Sequence, residues 1–159
     1  MRTLSEYEAS GEIPCFCKDR TALYVSYTSK KSWSFIRAWH HISTRVSAAT
    51  LLNHGYDTFI VDYGTSFGKA ALHELISIRR RRDYTLIAVK IAGEKNYYSN
   101  RLNEIKDLTA CDLSLGLIGK SDFLSALVMQ SSAIVNASQI QYHNGSTPQR
   151  LASYLKQIK

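Results

Sequence analysis

The chain has little of most things that would mark a special class. It has three cysteines and two prolines among 159 residues. The thiols Cys15, Cys17 and Cys111 are odd in number and too few for a disulfide framework. Cys15-Phe16-Cys17 also lacks a second Cys/His pair at zinc-site spacing. Reduced, non-ligating thiols are therefore expected. No apolar run approaches the roughly 18 residues of a membrane span, so no membrane partner is expected. The first ten residues carry no apolar core of the signal-peptide kind, which points to a cytoplasmic setting. His40, His41, His54, His73 and His143 show no metal-ligand pattern, and neither a G-x-S-x-G elbow nor a Walker motif is present. No metal and no cofactor are expected. Acidic residues are also scarce: 13 Asp and Glu stand against 20 Lys and Arg, a formal charge of +7. That excess fits an acidic partner such as nucleic acid or a nucleotide phosphate, and it also fits a soluble surface with solvated helix ends.

What the chain does have is alternation. Residues 1–21 read as an N-terminal arm with a short strand around 13–17, and residues 22–159 as a single domain. Residues 22–27 are β-branched and aromatic, as in a strand. An amphipathic helix follows from about 34 to 52, with Phe35, Trp39, Ile42, Val46 and Ala49 on its apolar face. Gly55 suits the left-handed position after its end. Strand 58–62 enters the turn Tyr63-Gly64-Thr65-Ser66, and a helix with Phe67, Ala71, Leu75 and Ile78 on one face runs on to Arg79, Arg80, Arg81 and Arg82. Cations in a last helical turn complement the helix dipole, so the arginine run has a structural explanation of its own. Residues 84–91 form a continuous apolar run, as in a parallel strand buried on both faces. A helix over about 97–109 presents Tyr98, Leu102 and Ile105, strand 112–118 follows, and a helix is expected over about 122–136. The last unit is strand 139–143, turn 144–147 and helix 148–158, with Thr147 as N-cap and Pro148 as first helical residue. Five strands, each followed by a helix, predict an α/β fold: a Rossmann-like, doubly wound, mainly parallel five-stranded sheet with helices on both faces.

In such a sheet ligands sit at the carboxyl ends of the strands, where strand order reverses. Three small polar turns precede helices there: Thr28-Ser29-Lys30-Lys31, Tyr63-Gly64-Thr65-Ser66 and Asn144-Gly145-Ser146-Thr147. Their hydroxyls, backbone N–H groups and two ammonium groups suit a phosphate. All three are expected to converge on one concave surface, partly filled by Tyr63.

The same turns resemble the signature of the SLOG superfamily, in its YpsA-like branch. There an F-I-S strand enters a G-G-A-x-G-x-D turn, and a helix carrying A-A-E ends in L-R. Phe59-Ile60, Phe67, Ala71, Ile78 and Arg79 fall in register with that pattern. Residues 27–31 resemble the family's T-G-H-R turn, residues 134–138 its M-V-D-x-S segment and Gly145-Ser146-Thr147 its G-G-T turn. The resemblance spans about residues 22–155 and implies a Rossmann-like domain for a nucleotide-derived ligand. The departures fall in the site. Asp62 and Tyr63 stand at the paired glycines, Ser66 at the later glycine, Gly68 at the Asp and His73 at the helix Glu. Ser29, Lys30 and Lys31 replace Gly, His and Arg of the first turn. The phosphoribohydrolases of the wider superfamily rely on an acidic residue and Arg at such loops. With the acidic positions lost, the resemblance implies a non-catalytic, diverged binder.

The expected pocket is thus Thr28, Ser29, Lys30, Lys31, Tyr63, Gly64, Thr65, Ser66, Gly145, Ser146 and Thr147, holding a nucleotide-like small molecule. The alternatives are a nucleic-acid-binding module using Arg79, Arg80, Arg81 and Arg82 with Lys30 and Lys31, and a structural or oligomeric interaction protein, with a homo-oligomer among the expected partners.

Overall fold

The computed structural model describes residues 6, 9–11, 17–25, 34–90, 98, 100–117, 128, 130–136 and 139–142, with the backbone alone at 34–37 and 116–117. A 3-10 turn, Lys18–Arg20, leads into β1 (Thr21–Tyr24). There follow α1 (Ser34–Asn53), β2 (Thr58–Asp62), α2 (Ser66–Ile78), β3 (Thr85–Lys90), α3 (Arg101–Thr109), β4 (Leu113–Leu117), β5 (Ala133–Asn136) and β6 (Gln139–Tyr142). The strands form one six-stranded sheet in the order β4-β3-β2-β1-β5-β6. All neighbours pair in parallel except β5 and β6, which pair antiparallel. The fold is α/β and Rossmann-like.

Strand residues alternate between two apolar faces. Ala22, Tyr24, Phe59, Val61, Leu86, Ala88, Ala133 and Val135 share a core with Ala48 and Leu51 of α1 and Phe67, Ala71, Leu72 and Leu75 of α2. Leu23, Ile60, Ile87, Val89 and Ile134, pointing the other way by the two-residue period of a strand, are also fully buried. Both faces of the sheet are therefore closed to solvent at β1, β2, β3 and β5, while the edge strand β6 is largely exposed. Successive steps from β1 to β4 run in one direction. Right-handed crossovers then put α1, α2 and α3 on the same face, where α1 packs along α2.

Two elements differ from the sequence expectation. Residues 133–136, read from the sequence as the end of a helix, are β5, a strand between β1 and β6. A short apolar run such as Ala133-Ile134-Val135 fits a buried strand and a buried helix equally by periodicity. The pairing that decides is remote: Ser132 N–H donates to Thr21 O (3.0 Å), and Ala22 lies beside Ala133. The final strand is in consequence the sixth rather than the fifth, and it runs opposite to the others.

The apolar faces of α1 and α3 also lie differently from what their patterns suggest. Trp39, Ile42 and Val46 are 52%, 52% and 62% exposed. The side of α1 that meets the sheet is His40, Ser43, Thr44, Ser47, Ala48 and Leu51. Its hydroxyls are satisfied within the helix and from the sheet. Ser43 and Thr44 donate to His40 O, and Tyr24 Oη and Ser47 Oγ share a 2.7 Å bond. Small side chains with satisfied hydroxyls allow the helix to seat closely, so the sheet selected that face over the apolar one. In α3, likewise, Leu102 and Ile105 are exposed while Glu104 is buried.

The predicted arm strand at 13–17 falls almost wholly outside the described residues, as do the turn at 144–147 and the helix at 148–158.

Candidate functional site

The strand order reverses between β1 and β5. From β1 the chain works outward through β2, β3 and β4, then returns to place β5 on the other side of β1. The crevice of a Rossmann-like sheet opens at this point, beyond the carboxyl ends of the two strands. Val25 N–H extends the pairing by one bond to Val135 O (3.0 Å), and Asn136, the last residue of β5, is buried. Thr28, Ser29, Lys30 and Lys31 lie outside the described residues. The chain enters that stretch from Val25 and leaves it at Ser34, the start of α1.

His40 belongs to this end of the sheet, and sequence reasoning missed it. Tyr24 closes β1 and its hydroxyl is level with Ser47 of α1. His40 lies seven residues nearer the start of α1, about 10 Å along the axis. Its ring meets Phe67 edge-on at 5.3 Å, and Phe67 stacks on Tyr24. His40 is 8% exposed, and its Nδ1 has no hydrogen-bond partner among the described residues. Burial first, then the neighbouring His41, holds its pKa below the ordinary histidine value, so the ring is neutral near pH 7. A buried ring nitrogen left unpaired is the kind of group that a ligand or water satisfies. In the sequence it is one of two adjacent histidines in a helix, with no spacing to single it out.

The β2–α2 turn is well built but turned in on itself. Asp62 is 1% exposed, and its carboxylate accepts the Gly64 N–H at 3.0 Å. Thr65 caps α2: its Oγ1 accepts the Gly68 N–H at 2.9 Å. Two of the N–H groups that an anion would use are thus taken by the loop's own side chains. Ser66, half-buried, opens the helix. Gly68 sits so close to the end of β2 that a Cβ there would lie 1.6 Å from Asp62 O. Where the family signature has an acidic residue, this chain needs an atom-free space.

Tyr63 does not stand in the crevice. It is 5% exposed, its N–H donates to Val89 O, and its hydroxyl reaches toward Leu115 O of β4 at 3.5 Å. The side chain packs in the core on the β3–β4 side, away from the reversal between β1 and β5. The expected role of partly filling the ligand surface is corrected accordingly.

The expected convergence of three turns also changes. Gly145, Ser146 and Thr147 lie outside the described residues, and the strand leading to them is antiparallel. Its last residue, Tyr142, pairs with Ala133, the first of β5. Tyr142 also meets His54, just past the end of α1, so β6 delivers the chain to the amino end of the parallel strands. The premise that all three turns follow parallel strands therefore fails for the third.

The arginine run lies past the carboxyl end of α2. The helix stops at Ile78, so the run is not its last turn. Arg79 donates to Asp112 Oδ1 (2.6 Å) and Ala110 O (3.1 Å), tying α2 to the segment before β4. Arg80, Arg81 and Arg82 are exposed. They lead into β3, at the amino end of the parallel strands.

Across the helical layer runs a chain of polar contacts. Glu74, 5% exposed, accepts from His41 Nδ1 (2.8 Å) and Arg45 Nε (2.6 Å), while Tyr98 Oη donates to Asp107 (2.9 Å). Burial alone would raise the Glu74 pKa, but hydrogen bonds from Arg45 and then His41 hold it below the ordinary value. Glu74 is thus tied to α1, while the Asp62 carboxylate accepts from its own loop. Cys17 and Cys111 are free thiols, and burial pushes Cys111 up to about 12. Among the described residues no group of three or more His, Cys, Asp or Glu could hold a metal, and no helix is long and apolar enough to cross a membrane.

Comparison with protein-family models, with curated proteins and with solved structures gives no match for this chain.

Proposed function

We propose that this is a non-catalytic, diverged SLOG-like domain that binds a small phosphate-bearing, nucleotide-derived ligand beyond the carboxyl ends of β1 and β5. The observation that carries the reading is the reversal of strand order between these two strands. The sequence supplies Thr28, Ser29, Lys30 and Lys31 to the connection that leaves β1 at that end. In this reading the ammonium groups neutralise phosphate, the hydroxyls orient it, and His40 Nδ1 offers the ligand a neutral hydrogen bond. The β2–α2 turn, with its N–H groups engaged, shapes the wall and leaves the charge to the lysines. No acidic residue is available at the family's catalytic positions, so the role is binding without turnover.

The test is a thermal-shift panel of mononucleotides followed by calorimetric titration. A ligand at about 100 times its Kd stabilises by roughly 2.7 kcal/mol, which a melting curve registers. Lys31→Ala is expected to weaken binding by about 1–3 kcal/mol, the range for a charge-assisted contact. If no mononucleotide shifts the melting of the wild type, the reading is abandoned.

A second reading rests on the exposed Arg80, Arg81 and Arg82. Three adjacent unburied guanidinium groups suit a nucleic-acid backbone. Fluorescence anisotropy with a labelled duplex, repeated over a salt series, separates the two. Nucleic-acid binding should fall steeply with salt and be lost when all three are replaced by alanine. The mononucleotide shift should survive that replacement.

A further inference from the structure

Two histidines that the ligand reading does not use stand together on the outer side of the helical layer. His41 of α1 and His73 of α2 have ring centroids 5.9 Å apart and ring planes at 86°. Their side chains are 36% and 64% exposed, so both reach solvent. Each turns its Nδ1 toward a carboxylate. His41 Nδ1 lies 2.8 Å from Glu74 Oε1, and His73 Nδ1 lies 3.9 Å from Asp107 Oδ2, within ion-pair reach. Both carboxylates are themselves held, Glu74 by Arg45 Nε at 2.6 Å and Asp107 by Tyr98 Oη at 2.9 Å.

We propose that this pair binds a divalent ion of the zinc class, with His41 Nε2 and His73 Nε2 as its protein ligands and water in the remaining positions. The first support is the tautomer. A carboxylate can only accept, so a neutral ring beside it carries its proton on Nδ1 and a lone pair on Nε2. A histidine that ligates a metal through one nitrogen characteristically donates its other N–H in this way. The second is direction. The two nitrogens of an imidazole face nearly opposite ways, and α2 lies between α1 and α3 in the helical layer. With Nδ1 toward α3, His73 has its Nε2 edge toward α1, where His41 stands. Glu74 is buried between the helices, so His41, bonded to it through Nδ1, presents Nε2 outward. The third is distance. Zinc–nitrogen bonds of about 2.0–2.1 Å put the centres of two rings on one ion roughly 5–6 Å apart, and the observed 5.9 Å lies in that range. Imidazole with water suits zinc, copper or nickel, whereas magnesium and calcium take oxygen. No third His, Cys, Asp or Glu completes the set among the described residues, so the site is open and its ion exchangeable. Its ligands come from separate helices, which is why no spacing in the sequence announces them. A bound ion would join α1 to α2 beside the Arg45–Glu74 contact. The inference does not depend on the ligand reading.

Calorimetric titration of the full chain with zinc chloride tests it, with magnesium chloride as the control. The wild type should take up zinc and not magnesium. Asp107→Ala, which removes only an outer partner, should weaken zinc binding about tenfold, and His41→Ala and His73→Ala should each weaken it further. His54→Ala, just past the other end of α1, should leave it unchanged. Histidine-ring nitrogen NMR on the wild type makes the test independent of how the variants fold. Zinc should shift the Nε2 signals of His41 and His73 while both rings keep the Nδ1 proton. A wild type that takes up no zinc overturns the proposal, as does zinc uptake that survives His41→Ala or His73→Ala undiminished. Zinc that shifts the Nε2 signal of neither ring, or of only one, overturns it as well.

Discussion

Gly68 shows how a single residue can hold a fold together through what it lacks. Its position in the first turn of α2 leaves no room for a methyl group, which would overlap the Asp62 carbonyl at the end of β2. Its backbone is ordinary, so the constraint is space alone. Gly68→Ala would have to push α2 off the strand or break the Thr65 cap. We expect a loss of about 3 kcal/mol, the upper part of the range for overpacking, and a melting temperature lower by roughly 10 °C. Denaturant unfolding measures it directly, and an unchanged midpoint would show that the turn can yield. Tyr63 teaches the complementary lesson. A tyrosine beside a glycine in a small polar turn reads as a residue at a ligand, yet its ring is spent filling the core toward β4. The sequence shows which residue is large. It does not show which way the ring turns, since that depends on β3 and β4 arriving beside it.

At the scale of elements, legibility follows locality. Strand 58–62 is legible with its observed bounds because Phe-Ile-Val stands between a polar start and a turn. The buried face of α2 is readable because its apolar residues are those that meet the sheet. α1 defeats the same reading. Its pattern gives the correct helix but the wrong inward side, because the docking face is made of Ser, Thr and Ala that no hydrophobic period detects. β5 is hidden because its partner β1 lies at the far end of the chain. The α1–α2 seam carries a pH dependence. Glu74 has a folded pKa below its ordinary value of 4.5. Its contribution is therefore complete above that value and is lost as pH falls through the folded value. Melting curves taken from neutral pH into acid should show the wild type losing stability below about pH 4.5. Glu74→Gln should be less stable near neutrality and less sensitive to that descent. Parallel pH profiles for the two proteins would rule out the assignment.

For the molecule as a whole, one concentration of positive charge has a described place: Arg80, Arg81 and Arg82 precede β3 at the amino end of the parallel strands. Lys30 and Lys31 lie outside the described residues. The net charge of +7 is by itself no evidence for a single basic face. The site itself is legible only in outline. The sequence offers a small polar stretch after β1, but the reversal of strand order beside that strand is a property of the sheet.

The central place of β1 has a consequence for how the chain is made. On one side β1 pairs with β2, the next strand to be synthesised. On the other it pairs with β5, which comes after every other parallel strand. A chain emerging from the ribosome at about 5–20 residues per second can assemble β1 to β4 while that second edge stands open. Until Ala133 to Asn136 arrive, the Ala22-Leu23-Tyr24 edge has no second partner among the described strands.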